Sequence, residues 1–229
     1  MKTLTALLLA GLVLIGPPMR PASSGWIPSY VSSLGITFAN PPDAGQAFSL
    51  VNGVVSEPDV LAGLGLENVA KDSRIGVTPF YAADFEVTEG GRTFIPAIIK
   101  ISVDRRHVVV APRRGSTAVI GLATGDKDAK PPSTGWAPSY ISSLGVAFSS
   151  PPEDGQAFDQ VEGTVSRPAE LHRLGFPDVR AGEAVSLMQE EPLELRGSTR
   201  ALVRIETSTF FEVFVVEEDH RLVPITEYW

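Results

Sequence analysis

The sequence contains one aromatic and proline-containing segment twice, and this repetition constrains the fold more than any other feature. SGWIPSYVSSLGITFANPPDAGQAF begins at Ser24, and TGWAPSYISSLGVAFSSPPEDGQAF begins at Thr134. Residues 24–69 align with 134–179 without a gap, and 25 of the 46 positions are identical. We therefore predict a tandem duplication of two small modules, each large enough to bury a core of its own.

The repeat and the local composition together predict the domain boundaries. We expect a signal peptide or N-terminal anchor over residues 1–24, a first β-rich repeat over 25–113 and a second over 134–229. The intervening residues 114–133 are rich in Gly, Ser, Thr and Pro, a composition typical of a linker.

The later part of each copy has diverged further. VDRRHVVVAP, which starts at Val103, aligns with VVEEDHRLVPI around Val216 if the second copy carries a small insertion. This alignment pairs Asp104 with Glu217 and His107 with His220. It predicts that DRRH and EEDH are equivalent hairpin tips on the surface.

Local signals within each copy favour a mainly β fold. Short apolar runs such as GITF and GVAF end at Pro-Pro and Gly turns, which is typical of strands. Each copy is predicted to contain one short helix. Ser56 and Ser166 would cap the two helices at their N-termini, and Pro58 and Pro168 would lie in the first turns. The fold class is therefore mainly β (α+β), with two antiparallel modules and one short helix in each. The pattern leaves a closed barrel and an open sheet as alternatives.

The N-terminus indicates export. MKTLTALLLAGLVLIG combines a lysine with a short apolar run that Gly16 and two prolines end, which is typical of a signal peptide. We expect a periplasmic or secreted protein. The alternative is an uncleaved N-terminal anchor, which would be the protein's sole membrane contact.

Composition excludes several classes of chemistry. The chain has no cysteine, so disulfides, thiol catalysis and thiolate metal sites are excluded. Its formal net charge of -8 disfavours nucleic acid, whose phosphates would be repelled. No HxH or HExxH spacing occurs, and we predict neither a metal nor a cofactor.

The repeated aromatic residues allow two interpretations. Trp26, Tyr30, Trp136 and Tyr140 lie in Pro- and Ser-rich segments and would form a stacking platform for sugar rings or proline-rich peptides if exposed. The alternative is that they fill the cores of two small modules. We favour the core interpretation, because aromatic residues make up 8% of the chain and small cores need large side chains.

Few ionisable positions match between the copies. Asp43 corresponds to Glu153, and the alignment above pairs His107 with His220, so these four residues are the acid/base candidates for a hydrolase with its site between the repeats. Other charged positions reverse sign, as Glu57 and Arg167 do, which indicates solvated turns.

These observations predict an exported, non-enzymatic binding or interaction protein. Its partner would be a protein or a glycan in the cell envelope or outside the cell, bound with the avidity that two linked modules give. The first alternative is the hydrolase just described. The second is a structural protein that builds a surface assembly.

Overall fold

The structure is a computed structural model that describes residues 25–126 and 136–229. It is mainly β, with one large antiparallel sheet and four short helices. The predicted signal peptide or anchor at 1–24 and residues 127–133 of the predicted linker lie outside the described residues. In the two described ranges, no helix has the length and apolar character needed to cross a membrane.

The first half of the described chain, residues 25–126, contains two helices and eight strands. They are α1 (Ser29–Ser33), β1 (Ile36–Phe38), β2 (Val51–Val55), α2 (Pro58–Gly63), β3 (Arg74–Ala82), β4 (Val87–Glu89), β5 (Arg92–Phe94), β6 (Ala97–Val103), β7 (Arg106–Pro112) and β8 (Val119–Asp126). The β4 and β5 strands form a separate two-stranded hairpin.

The second half, residues 136–229, contains two helices, six strands and a final 3-10 helix. They are α3 (Pro138–Leu144), β9 (Val146–Phe148), β10 (Gln160–Val165), α4 (Pro168–Arg173), β11 (Ala184–Leu195), β12 (Ser198–Thr207), β13 (Phe211–Val216), β14 (Leu222–Pro224) and the 3-10 helix Ile225–Tyr228.

Both halves contribute to one continuous antiparallel sheet of twelve strands. Its order is β1-β2-β3-β6-β7-β8 in the first half and then β11-β12-β13-β14 in the second. The N-terminal part of β11 pairs with β10, which in turn pairs with β9, while Glu194 near its C-terminal end pairs with Thr124 of β8. The long β11 therefore joins the two halves.

The sheet register corrects the alignment of the diverged segments. Val77 faces Ile101 across β3 and β6, and Leu187 faces Ile205 across β11 and β12. In the first half β6 then pairs with β7, and in the second half β12 pairs with β13. By position in the sheet, β7 thus corresponds to β13 and β8 to β14, and the β4–β5 hairpin is extra in the first half.

The pairing of His107 with His220 is therefore wrong. His107 lies within β7, whereas His220 lies in the turn between β13 and β14. Asp104 and Glu217 likewise belong to different turns. The alignment failed because runs of Val and Leu in neighbouring strands resemble one another whichever strand they belong to.

Each half has two short helices where one was predicted. The expected helices are α2 and α4, both with proline in the first turn. The additional helices α1 and α3 are formed by SYVSS and PSYISSL. The predicted Ser56 and Ser166 caps are also corrected, because the N-cap positions are Glu57 and Arg167 and neither helix has a side-chain cap. The Ser166 hydroxyl instead donates to the Gly145 carbonyl at 2.8 Å.

A strand occupies part of the predicted linker. Residues 119–126 form β8, which pairs with β7 from Arg106–Asp126 to Pro112–Val119. A Cβ on Gly121 would collide with the carbonyl group of Leu64 at the end of α2. The glycine that suggested a flexible linker therefore allows β8 to pack tightly against the first half.

Buried apolar side chains form three clusters. The first is the core of the first half and surrounds Trp26, and the second is the core of the second half and surrounds Trp136. The third, which we call the seam, lies between the halves and consists of Phe80, Ala83, Ile98, Val109, Ala111, Ala123, Leu193, Leu195, Leu202, Val213, Val215 and Ile225. Because both halves supply the seam, they pack together as one body.

Candidate functional site

The repeated aromatic residues lie in the two cores. The Trp26 ring contacts Tyr30, Phe38 and Phe48 edge-on, with centroid distances of 5.1, 5.3 and 5.2 Å. Trp136 makes the same three contacts with Tyr140, Phe148 and Phe158 at 5.3, 4.9 and 5.6 Å. Edge-to-face packing is the favoured geometry for such rings in a protein interior.

The platform interpretation is corrected by this burial. Trp26, Tyr30, Trp136 and Tyr140 are each at most 2% exposed, so the exposure that a stacking platform requires is lacking. The Tyr30 hydroxyl donates to the Ala97 carbonyl. Burial raises the pKa of Tyr30 and raises the pKa of Tyr140 to about 12, which keeps both hydroxyls neutral.

The four acid/base candidates do not form one site. Asp43 and Glu153 lie in exposed turns, where each backbone N–H donates to the side-chain oxygen of a nearby glutamine, Gln46 or Gln156, at 2.9 Å. His220 lies in the β13–β14 turn with φ of 61°. His107 alone lies in the seam region, so the proposed pairing of Asp43, Glu153, His107 and His220 as a catalytic set is corrected.

His107 is buried, although the sequence suggested a surface hairpin tip. It is 1% exposed, and its Nδ1 lies 3.2 Å from Glu191 Oε2. Lys100 Nζ donates to the same oxygen at 3.1 Å. A Cβ on Gly125 would collide with the His107 ring, so glycine makes room for the imidazole. Glu191 belongs to the second half, and the three groups form a polar contact between the halves.

A cleft of about 260 Å³ lies beside this contact, where β8 meets β11. Its lining combines both signs of charge with two threonines and two glycines. The lining residues are Gly65, Leu66, Arg106, His107, Thr124, Gly125, Asp126, Pro192, Glu194 and Thr199. Both halves contribute to this cleft, which the sequence did not indicate.

A second polar contact joins the halves through Tyr81 and Glu212. The Tyr81 hydroxyl donates to Glu212 Oε1 at 2.6 Å, and Glu212 is 8% exposed. Burial raises the pKa of the Glu212 carboxyl, and this effect outweighs the opposing effect of the hydrogen bond from Tyr81. The raised pKa means that ionised Glu212 opposes folding.

We expect Glu212→Gln to stabilise the protein at neutral pH. A carboxyl whose pKa is raised in the folded state contributes stability that is full below the unfolded pKa, about 4.3, and is lost as the pH rises through the folded pKa. Glutamine keeps an acceptor for Tyr81 and cannot ionise. In urea unfolding, Glu212→Gln should therefore have a higher free energy of unfolding than the unchanged protein at pH 7, and this difference should shrink as the pH is lowered to about 4. Glu153→Gln, on an exposed turn, is the control, and equal effects of Glu212→Gln at both pH values would contradict the prediction.

Five aromatic rings, one buried, three half-buried and one exposed, belong to the seam or lie next to it. We call Phe80, Tyr81, Phe85, Tyr228 and Trp229 the aromatic rim; Tyr81, Phe85 and Tyr228 pack against the seam, and Phe80 belongs to it. Trp229 is 37% exposed and is the one exposed aromatic side chain in residues 25–126 and 136–229. Its ring centroid lies 6.5 Å from that of Phe80.

Two arginines stack on the aromatic rim. The Arg114 guanidinium lies 5.2 Å from the centroid of Phe85, and its Nη2 donates to both Asp84 carboxylate oxygens at 2.7 Å. The Arg196 guanidinium lies 4.9 Å from the centroid of Tyr228, and its Nη2 donates to the carbonyl of Glu227 at 3.1 Å. Such cation–π contacts orient the planar groups of both partners.

The sequence analysis missed the rim because its members are far apart in the chain. The signal that could have suggested it is the density of aromatic residues near position 80 and at positions 228 and 229.

Within residues 25–126 and 136–229, no group of three or more His, Asp or Glu side chains is placed to hold a metal ion. Comparison of the chain with family models, with curated proteins and with solved structures finds no match.

Proposed function

We propose that this is an exported, non-enzymatic binding protein of the cell envelope or extracellular space, and that its partner, a protein or a glycan, binds at the aromatic rim. The observation that carries the proposal is the exposed Trp229 beside Phe80, in a surface assembled from both halves. An exposed tryptophan next to stacked arginines is the composition that recurs at recognition surfaces.

The duplication has a different role in this proposal from the one that the sequence suggested. We propose that a tandem duplication produced the chain, which is supported by the recurrence of helix, strand, strand and helix at the start of each half. The seam and the contacts of Glu191 and Glu212 favour one binding surface made by two packed copies. Independent modules on a flexible linker would instead gain avidity from two separate sites.

Trp229 provides the test. Its fluorescence should be quenched by iodide, whereas that of Trp26 and Trp136 should be blue-shifted and protected. We would titrate the protein with neutral glycans, sulfated glycans and proline-rich peptides, and measure whether the iodide-accessible fraction falls. Trp229→Phe is the matched control, since it removes the signal and keeps a ring beside Phe80. A ligand that shields Trp229 supports the function; if every class leaves it fully accessible, the rim is not a binding surface.

The contact between His107 and Glu191 favours a hydrolase as a second candidate. A histidine whose Nδ1 lies 3.2 Å from a carboxylate, in a cleft between the halves, has the arrangement of a general base and the group that orients it. We would incubate the same glycans and peptides with the protein and analyse the products by mass spectrometry. Cleavage that is lost in His107→Gln would favour this candidate over a binding protein.

A further inference from the structure

We propose that the ligand of the aromatic rim is a neutral oligosaccharide, an inference that rests on the proposed binding function. The rim offers the two kinds of contact that a sugar chain needs. One is an apolar ring face for the C–H groups of a pyranose, and the other is a set of planar donors and acceptors for its hydroxyls. Trp229 supplies the first, at 37% exposure beside Phe80.

The second kind of contact comes from Arg114 and Asp84. Arg114 is bonded to both oxygens of Asp84 and is stacked on Phe85, so a donor and an acceptor lie side by side on the surface. Two adjacent hydroxyls of a sugar each donate and accept. They can therefore bond to the guanidinium and the carboxylate together without disturbing the charge balance.

A second arginine makes a related contact at Tyr228. Arg196 is stacked on Tyr228 and donates to the carbonyl oxygen of Glu227, which again places a donor beside an acceptor. The Tyr228 hydroxyl donates to Glu217, and Arg200 lies 3.5 Å from the same carboxylate. The two arginines that stack on the rim thus differ, because Arg114 donates to a carboxylate and Arg196 to an uncharged carbonyl.

The pairing of Arg114 with Asp84 favours one ligand class. A sulfated or uronic acid chain carries a negative charge on successive units and needs several arginines that are free of carboxylate partners, and a polycation needs the reverse. Of the two arginines that stack on the rim, Arg114 is paired with Asp84, which leaves Arg196 with its carbonyl acceptor. A proline-rich peptide docks in a groove lined by aromatic rings and makes few polar contacts, so it would leave the Arg114–Asp84 pair unused. A neutral saccharide uses the ring faces and both members of the pair.

The test compares ligands and variants by isothermal titration calorimetry. The probes are cellohexaose, maltohexaose and N-acetylchitohexaose as neutral chains, a heparin hexasaccharide as the anionic chain and decaproline as the peptide. We expect at least one neutral chain to bind, Trp229→Ala to weaken that binding at least about tenfold, and Asp84→Asn and Arg114→Gln to weaken it about three- to tenfold each. Arg173→Gln, which removes the ion pair of a similarly exposed arginine on α4, should leave it unchanged.

The outcomes separate this inference from the function on which it rests. If heparin or decaproline binds with dependence on Trp229 and the neutral chains do not, the saccharide inference is overturned and the binding function stands. If a neutral chain binds equally to the protein and to Trp229→Ala, the rim is not its site and the inference fails. If no probe binds and none shields Trp229 from iodide, both are overturned. Circular dichroism of each variant would exclude loss of folding as the cause.

Discussion

Replacing Trp26 by alanine is expected to lower the free energy of unfolding by about 3–5 kcal/mol, the range for truncating a large buried aromatic side chain. The ring is 1% exposed and lies at the centre of three edge-on contacts with Tyr30, Phe38 and Phe48. Its removal leaves those rings without their common partner, and a core of this size has few other side chains that could fill the space.

Trp136→Ala is expected to have the same effect, because the second core repeats the packing of the first. Urea unfolding followed by circular dichroism would measure both losses. Trp229→Ala is the matched control, since its ring is exposed and its loss should change stability by no more than about 0.5 kcal/mol. A loss of less than about 1 kcal/mol in either core variant would show that its tryptophan is not the packing centre described above.

The same experiment tests whether the halves unfold together. The seam buries side chains from both halves, and the contacts of Tyr81 with Glu212 and of Glu191 with His107 and Lys100 cross it. A destabilised first core should therefore weaken the second, and Trp26→Ala should still unfold in one transition. Two separate transitions, with the second at the midpoint of the unchanged protein, would mean that the seam does not couple the halves.

The sequence predicted those parts of the fold that depend on short-range rules. The α2 helix was predicted with Pro58 in its first turn, and it is followed by Gly65, which takes φ of 110° as a helix stop requires. The β13 strand, which carries apolar residues on both faces, is an internal strand between β12 and β14. These signals come from a few neighbouring residues and survive in any tertiary context.

The register of the later strands and the candidate site could not be predicted, since both depend on contacts between distant residues. His107 was interpreted as a surface residue because DRRH resembles a turn, and its burial is decided by Gly125 and by Glu191. The rim brings Phe80 and Phe85 to Tyr228 and Trp229 across the seam. No local pattern records that side chains of β3, β6 and β7 pack against side chains of β11, β12 and β13.

Replacing Gly121 by alanine is expected to lower the free energy of unfolding by about 2–3 kcal/mol, near the upper end of the usual cost of overpacking. A Cβ at this position collides with the carbonyl oxygen of Leu64, and the next nearest atoms are the backbone C and Cα of the same residue. Backbone atoms at the end of α2 cannot rotate aside as the end of a long side chain would. Either β8 or the helix must therefore move.

Gly76→Ala is the control for this prediction. It also adds a methyl group to a strand glycine, but the nearest atom is the end of the exposed Leu50 side chain at 3.4 Å, an ordinary contact. Alanine lowers the entropy of the unfolded chain at both positions by the same mechanism. The difference between the free energies of unfolding of the two variants therefore measures the cost of the collision. Urea unfolding of both would measure it.

Hydrogen exchange would then show where Gly121→Ala acts. The β8 strand pairs with β7 along its length and meets β11 at Thr124 and Glu194, so its displacement should expose amides in β7, β8 and the C-terminal part of β11. Amides of β1 and β9, at the far edges of the sheet, should keep their protection. If Gly121→Ala matches Gly76→Ala in stability and in exchange, then residues 119–126 do not pack against α2, and the connection between the repeats is the linker that its composition suggests.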